Sequence, residues 1–99
     1  PAALLLDEPA TGLDLAARHR LMTLMNRVAE AGTTLILVTH QVEEIVPSIS
    51  HVIFLKRGRV VRQGPRAAVL TNERLTDLFE MPVALTVRDG YLQASITTA

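Results

Sequence analysis

The period of apolar and polar positions changes several times along the chain, and each change marks an element. Ala3 to Leu6 is a continuous apolar run closed by Asp7, Glu8 and Pro9. Such a short run predicts a strand covered on both faces, as in a parallel sheet. From Asp14 to Ala31 the period becomes helical. Ala17, Leu21, Leu24, Met25 and Val28 recur at i, i+4, i+7, i+8 and i+11, with Arg18, Arg20, Asn26, Arg27 and Glu30 mostly off that stripe. Asp14 suits the start of this helix as a cap, and Gly32 suits its end as a left-handed residue. Thr33 to Val38, "TTLILV", is β-branched and apolar and predicts a second interior strand. Strand, helix and strand make a βαβ unit, whose two strands run parallel in one sheet with a right-handed crossover.

Beyond His40, "QVEEIVPSIS" has room for about one and a half helical turns before Pro47 interferes. "HVIFLKRGRVVRQG" holds two apolar runs joined at Arg57 and Gly58, a hairpin whose glycine takes positive φ. Pro65 is placed to open a helical turn through Leu70, and Thr71 or Asn72 can cap a helix carrying Leu75, Leu78 and Phe79. Asp89 and Gly90 lie between two alternating runs and predict a terminal hairpin. No repeat, low-complexity tract or linker interrupts the pattern. The simplest architecture is one compact α/β unit: a parallel βαβ sheet, then a hairpin, short helices and a C-terminal hairpin.

Composition narrows the function classes. The 99 residues have room for one small domain, and 48% of them are hydrophobic, with Phe and Tyr scarce and Trp absent, so the core is aliphatic. Ten basic and ten acidic residues cancel. No global field therefore draws the chain to nucleic acid or to an anionic membrane. Cysteine is absent, which excludes disulfides and thiolate metal sites. His19, His40 and His51 lack ligand-like spacing. No apolar run approaches the roughly 20 residues of a membrane helix, and no signal-peptide layout opens the chain.

The chemistry concentrates at the carboxyl ends of the two predicted strands, where open α/β sheets place their ligands. Asp7 and Glu8 are consecutive, so their side chains diverge and cannot do the same job. One carboxylate can fix Mg²⁺ directly or through water, and the other can polarise an attacking water. If the strands are neighbours, His40 arrives at the same rim, where an imidazole can contact a phosphate. Other polar groups have structural uses. Glu43 and Glu44 offset a helix dipole in the first turn. His19 and His51 are surface or edge residues, Met22 and Met25 fill core gaps, and Arg57, Arg59, Arg62 and Arg66 decorate a solvent face.

"LLLDEP", "TGLD", a helix, an apolar strand and "TH" follow one another at residues 4–9, 11–14 and 39–40. In this order they resemble the nucleotide-binding subunit of ATP-binding cassette (ABC) transporters, a P-loop NTPase-type fold. The resemblance implies that Leu4 to Glu8 is the Walker B strand, Thr11 to Asp14 the D-loop, and His40 the switch histidine. It further implies that Asp7 holds Mg²⁺ through water, that Glu8 is the general base, and that His40 contacts the γ-phosphate of ATP. Asp14, grouped with Asp7 among the nucleotide-site residues, would face a second ATPase subunit in a head-to-tail dimer. The D-loop reads Thr-Gly-Leu-Asp where Ser-Ala-Leu-Asp is usual, and keeps its aspartate. On this reading residues 1–80 are catalytic core and 81–99 a C-terminal hairpin extension.

The family's phosphate loop, G-x-x-x-x-G-K-[ST], and its Leu-Ser-Gly-Gly signature are absent from these residues. Both are expected upstream of Pro1, which makes the chain the C-terminal portion of an ATPase, inactive alone and exposing apolar surface around Leu4 and Leu35. The complete protein is expected to energise transport, import above all, beside permease subunits at the inner face of the cell membrane. It would lie in the cytoplasm without inserting into the membrane and without binding nucleic acid. Two other readings are a non-transport ABC ATPase acting on DNA or ribosomes and a non-enzymatic truncated remnant.

Overall fold

A computed structural model describes residues 3–97 of the chain. Within them, residues 3–49 with 88–92 form one unit, and residues 50–87 with 93–97 form another.

The first unit is built on β1 (Ala3–Asp7), α1 (Leu15–Glu30) and β2 (Thr34–Val38). The strands pair in parallel, from Ala3 opposite Thr34 to Asp7 opposite Val38, so both carboxyl ends fall at one rim. Asp14 is extended and its Oδ1 accepts the Ala17 N–H at 2.8 Å, which opens α1 as the sequence predicts. At the other end Gly32 has φ 104° and its N–H bonds the Ala29 carbonyl at 3.1 Å.

The buried face of α1 is turned from the predicted stripe. Met25 is 2% exposed, whereas Leu24 is exposed. Arg18, expected on the polar side, has Nε and Nη2 buried with no hydrogen-bond partner among the described residues. Residues seven apart share a helix face, so Arg18 turns inward with Met25, while Leu24 lies about 100° away. The β1 and β2 expectation is also modified: Leu4, Leu5, Ile36 and Val38 are exposed and Leu35 is half-buried. Two paired strands cannot cover their own faces, so residues suited to a buried sheet meet solvent here.

Past His40 the expected helix of one and a half turns is a single 3₁₀ turn, Val42–Glu44. Pro47 biases the residue before it toward extended backbone, and Ile45 has already left helical geometry with ψ 88°. Ala10, Met25, Val42, Val46 and Leu92 form the buried apolar set of this unit.

In the second unit, β3 (His51–Lys56) and β4 (Arg59–Pro65) form the expected antiparallel hairpin, with a register irregularity between Phe54 and Leu55. Its turn puts both Arg57 (φ 54°) and Gly58 (φ 76°) in the left-handed region, not the glycine alone. That is the backbone of a tight primed turn, which matches the strand twist. Helices α2 (Arg66–Val69) and α3 (Asn72–Phe79) follow. Burial lowers the Arg66 guanidinium pKa from its ordinary value. Thr71 caps α3 by accepting the Arg74 N–H at 3.2 Å. The last hairpin pairs β5 (Val83–Arg88) with β6 (Tyr91–Ile96) across Asp89 and Gly90, at φ 53° and 82°. Asn72 Oδ1 accepts the Leu85 N–H and Thr76 Oγ1 the Val83 N–H, each at 2.9 Å, tying β5 to α3. Val52, Phe54, Val69, Leu75 and Val83 are the buried apolar residues here.

Candidate functional site

Glu8 is the first residue past β1 and has φ 47°. Its N–H donates to the Val38 carbonyl at 2.7 Å, extending the strand pairing by one bond, and its carbonyl accepts the Thr11 N–H at 3.2 Å. The chain thus turns sharply with a glutamate in a conformation that favours glycine. Non-glycine residues in this region carry backbone strain and concentrate at functional sites. The turn aims the Glu8 side chain at the end of β2, where His40 Nδ1 and Glu8 Oε1 are hydrogen-bonded. The Glu8 side chain is 36% exposed and the His40 side chain 88%.

Asp7 ends β1 opposite Val38 and is exposed. Among the described residues its carboxylate has no hydrogen-bond or ion-pair partner. Glu8 and His40 meet directly, and Asp7 occupies the adjoining position on the same rim with no hydrogen bond to either among the described residues. Asp14 lies elsewhere on the connection, with Oδ1 spent on the α1 cap and the carboxylate open to solvent. Leu13 and Leu15 flank it and are exposed, Leu15 at 85%.

Among the described residues no three His, Cys, Asp or Glu side chains cluster to hold a metal. A magnesium ion does not require such a cluster, because it keeps several waters and completes its shell with substrate phosphates and one or two carboxylates. An unpaired, exposed Asp7 fits that single-carboxylate role. The Glu8–His40 pair fits a different one: with Oε1 engaged by the imidazole, Oε2 is left to face a water.

Sequence reasoning offers Glu44 only a helix-dipole role and Thr39 only a place in the Thr-His motif, and makes neither a site candidate. Glu44 is buried and its Oε1 accepts the Thr39 hydroxyl at 2.8 Å. The available signal was the alternation Val42, Glu44, Val46, all three of which point inward.

A parallel βαβ unit with an acidic pair at the end of its first strand and a histidine beyond its second is an arrangement compatible with nucleotide hydrolysis. The sequence relatives are narrower. A Streptococcus mutans protein described as "Putative ABC transporter ATP-binding protein" is 40% identical over 85 residues, 84% of this chain and 33% of its own length. The cobalt import ATP-binding protein CbiO of Rhodobacter capsulatus is 44% identical over 72 residues, 73% of this chain and 26% of its own. The hemin import ATP-binding protein HmuV of Bradyrhizobium diazoefficiens is 33% identical, across 91% of this chain and 34% of its own.

Solved structures agree. One described as "An inward-facing conformation of a putative metal-chelate type ABC transporter" superposes with a TM-score of 0.77 at 26% identity, over 97% of this chain and 39% of that one. CbiO1 of Clostridium perfringens, part of the ABC transporter complex CbiONQ, gives a TM-score of 0.59 at 32% identity, over 78% of this chain and 31% of its own. A family model described as "AAA domain, putative AbiEii toxin, Type IV TA system" matches residues 1–46, the segment that carries the site. Across 73–91% of its length the chain is similar to ATP-binding proteins of ABC transporters. It spans about a third of the length of the curated relatives it matches.

Proposed function

We propose that the complete protein carrying this chain is the ATP-hydrolysing subunit of an ABC transporter, and that Asp7, Glu8 and His40 serve its nucleotide. The observation that carries the reading is the direct contact of Glu8 with His40 at the strand rim, beside an unpaired Asp7. Glu8 takes the proton of the attacking water as oxygen bonds to the terminal phosphorus and the bond to the ADP oxygen breaks. With Nδ1 turned to Glu8, Nε2 is the His40 nitrogen left to reach phosphate. Asp7 would hold magnesium through water. The ion, when bound, neutralises charge on the phosphate oxygens.

Asp14 and its exposed leucine neighbours are the face offered to a second ATPase subunit, and residues 1–80 are core with 81–99 an extension. Import is favoured over export, because cobalt and hemin uptake ATPases are among the relatives. Permease subunits would supply the membrane passage, since among the described residues no helix is long and apolar enough to cross a membrane. The working place of the complete protein is then the cytoplasmic face of that membrane. The chain by itself lacks the phosphate loop and turns over no ATP.

Phosphate release by the purified complete subunit tests the reading. Glu8→Gln should bind ATP with affinity close to the native protein and lose about 10²-fold or more in turnover, the usual worth of a general base. Full turnover by that variant would dismiss the proposal.

A further inference from the structure

His40 has little packing to orient it. Its side chain is 88% exposed, and Glu8 is its one side-chain partner among the described residues. A free imidazole on an exposed loop samples several rotamers, so a fixed direction has to come from the backbone that carries it. The residues on either side of His40 are held in an unusual way. Thr39 Oγ1 accepts the Gln41 N–H at 3.0 Å, bridging across His40. The same hydroxyl lies 2.8 Å from Glu44 Oε1 and 3.4 Å from the Gln41 carbonyl oxygen. It has one proton to give, and the shorter contact to Glu44 is the stronger use of it.

Glu44 is itself enclosed. It is 1% exposed and is the one buried charged side chain among the described residues. It ends the 3₁₀ turn, its N–H bonds the Gln41 carbonyl at 3.1 Å, and buried Val42 and Val46 lie two residues to either side. A carboxyl group placed there is costly unless hydrogen-bonded, and the Thr39 hydroxyl supplies that bond.

We propose that the Thr39–Glu44 hydrogen bond is a positioning device that fixes the backbone around His40 and thereby keeps its imidazole on Glu8. The inference rests on the proposed hydrolytic role of His40. On this proposal neither Thr39 nor Glu44 needs to touch nucleotide. Both act through His40, as a rigid second layer acts on a group whose placement the chemistry requires.

The test uses the complete subunit and separates positioning from folding. Thr39→Val should lower kcat about tenfold and leave KM for ATP within about twofold, because a misplaced group affects the chemical step more than uniform binding. Thr39→Ser keeps the hydroxyl and should recover kcat to within about threefold of native. In a His40→Ala background Thr39→Val should cost nothing further, since the residue through which it acts is gone. Glu44→Leu should reproduce the Thr39→Val loss and Glu44→Gln, which keeps an acceptor oxygen, should be milder. That pair reads the same contact if Thr39→Val does not fold.

Native kcat in Thr39→Val, equal losses in the valine and serine variants, or an undiminished loss in the His40→Ala background would each overturn the proposal. Full turnover by His40→Ala would instead sink the hydrolytic role itself. The positioning claim is then read directly, from ¹³C-histidine spectra of His40. Thr39→Val should shift its ring signal as Glu8→Gln does, and an unmoved signal overturns the inference.

Discussion

Asp14 has two jobs in this reading, one visible and one proposed, and a set of substitutions can pull them apart. The visible job is the α1 cap: Oδ1 accepts the Ala17 N–H at 2.8 Å, and the first turn of the helix contains no other acid. Losing the capping bond costs about 1 kcal/mol, and losing a negative charge at a helix N-terminus costs about 0.5 kcal/mol more. Asp14→Ala should therefore destabilise the protein by about 1.5 kcal/mol. Asp14→Asn keeps a cap of equal quality and loses the charge alone, so it should cost about 0.5 kcal/mol. Urea unfolding followed by circular dichroism, at one protein concentration, measures both. If the alanine and asparagine variants are equally stable, the cap reasoning is wrong. The proposed job concerns the exposed carboxylate beside Leu13 and Leu15. An asparagine variant that is stable but fails to associate in ATP would assign the charge to the subunit interface.

Other substitutions test the fold around the site. Glu8→Gly relieves a φ of 47° and should be neutral or stabilising by up to about 1 kcal/mol, whereas Asp7→Gly, in extended backbone, should cost about 1 kcal/mol. Equal losses at the two positions would remove the argument for strain at Glu8. Gly90→Ala places a Cβ at φ 82° and 3.0 Å from Pro47 Cγ, and should cost about 2 kcal/mol in thermal or urea unfolding. Leu75, with 0% exposure, is the best-buried leucine of the second unit, and Leu75→Ala should cost about 2–5 kcal/mol. A loss below about 1 kcal/mol would mean that this core is not formed as described.

The elements that were legible in the sequence are those whose signals are local. A cap, a 3.6-residue period and a terminating glycine are written within α1, and Asp-Gly between alternating runs is enough for the last hairpin. Positions that depend on what an element packs against were harder to read. The stripe on α1 ran from Leu24 at one edge to Met25 at the other and only the Met25 edge is fully buried, because an amphipathic pattern fixes its apolar arc and not the part of that arc a neighbour covers. Arg18 went inward for the same reason. The turn after His40 was overestimated, since its length depends on where Ile45 and Pro47 leave helical geometry. Of the candidate site, the meeting of Glu8 with His40 followed from parallel pairing of two short strands, which the βαβ pattern implies. Glu8 entering the left-handed region and Glu44 being buried beneath Thr39 are tertiary outcomes that no residue type announces.

The central claim is that Asp7, Glu8 and His40 serve one terminal phosphate. A structure of the complete subunit with magnesium and a non-hydrolysable ATP analogue tests it most directly. The expected result places His40 Nε2 about 3 Å from a γ-phosphate oxygen, a water between Glu8 and the phosphorus, and Asp7 reaching the metal through water. A nucleotide bound away from the carboxyl ends of β1 and β2, with Glu8 and His40 still paired to each other and facing solvent, would contradict it.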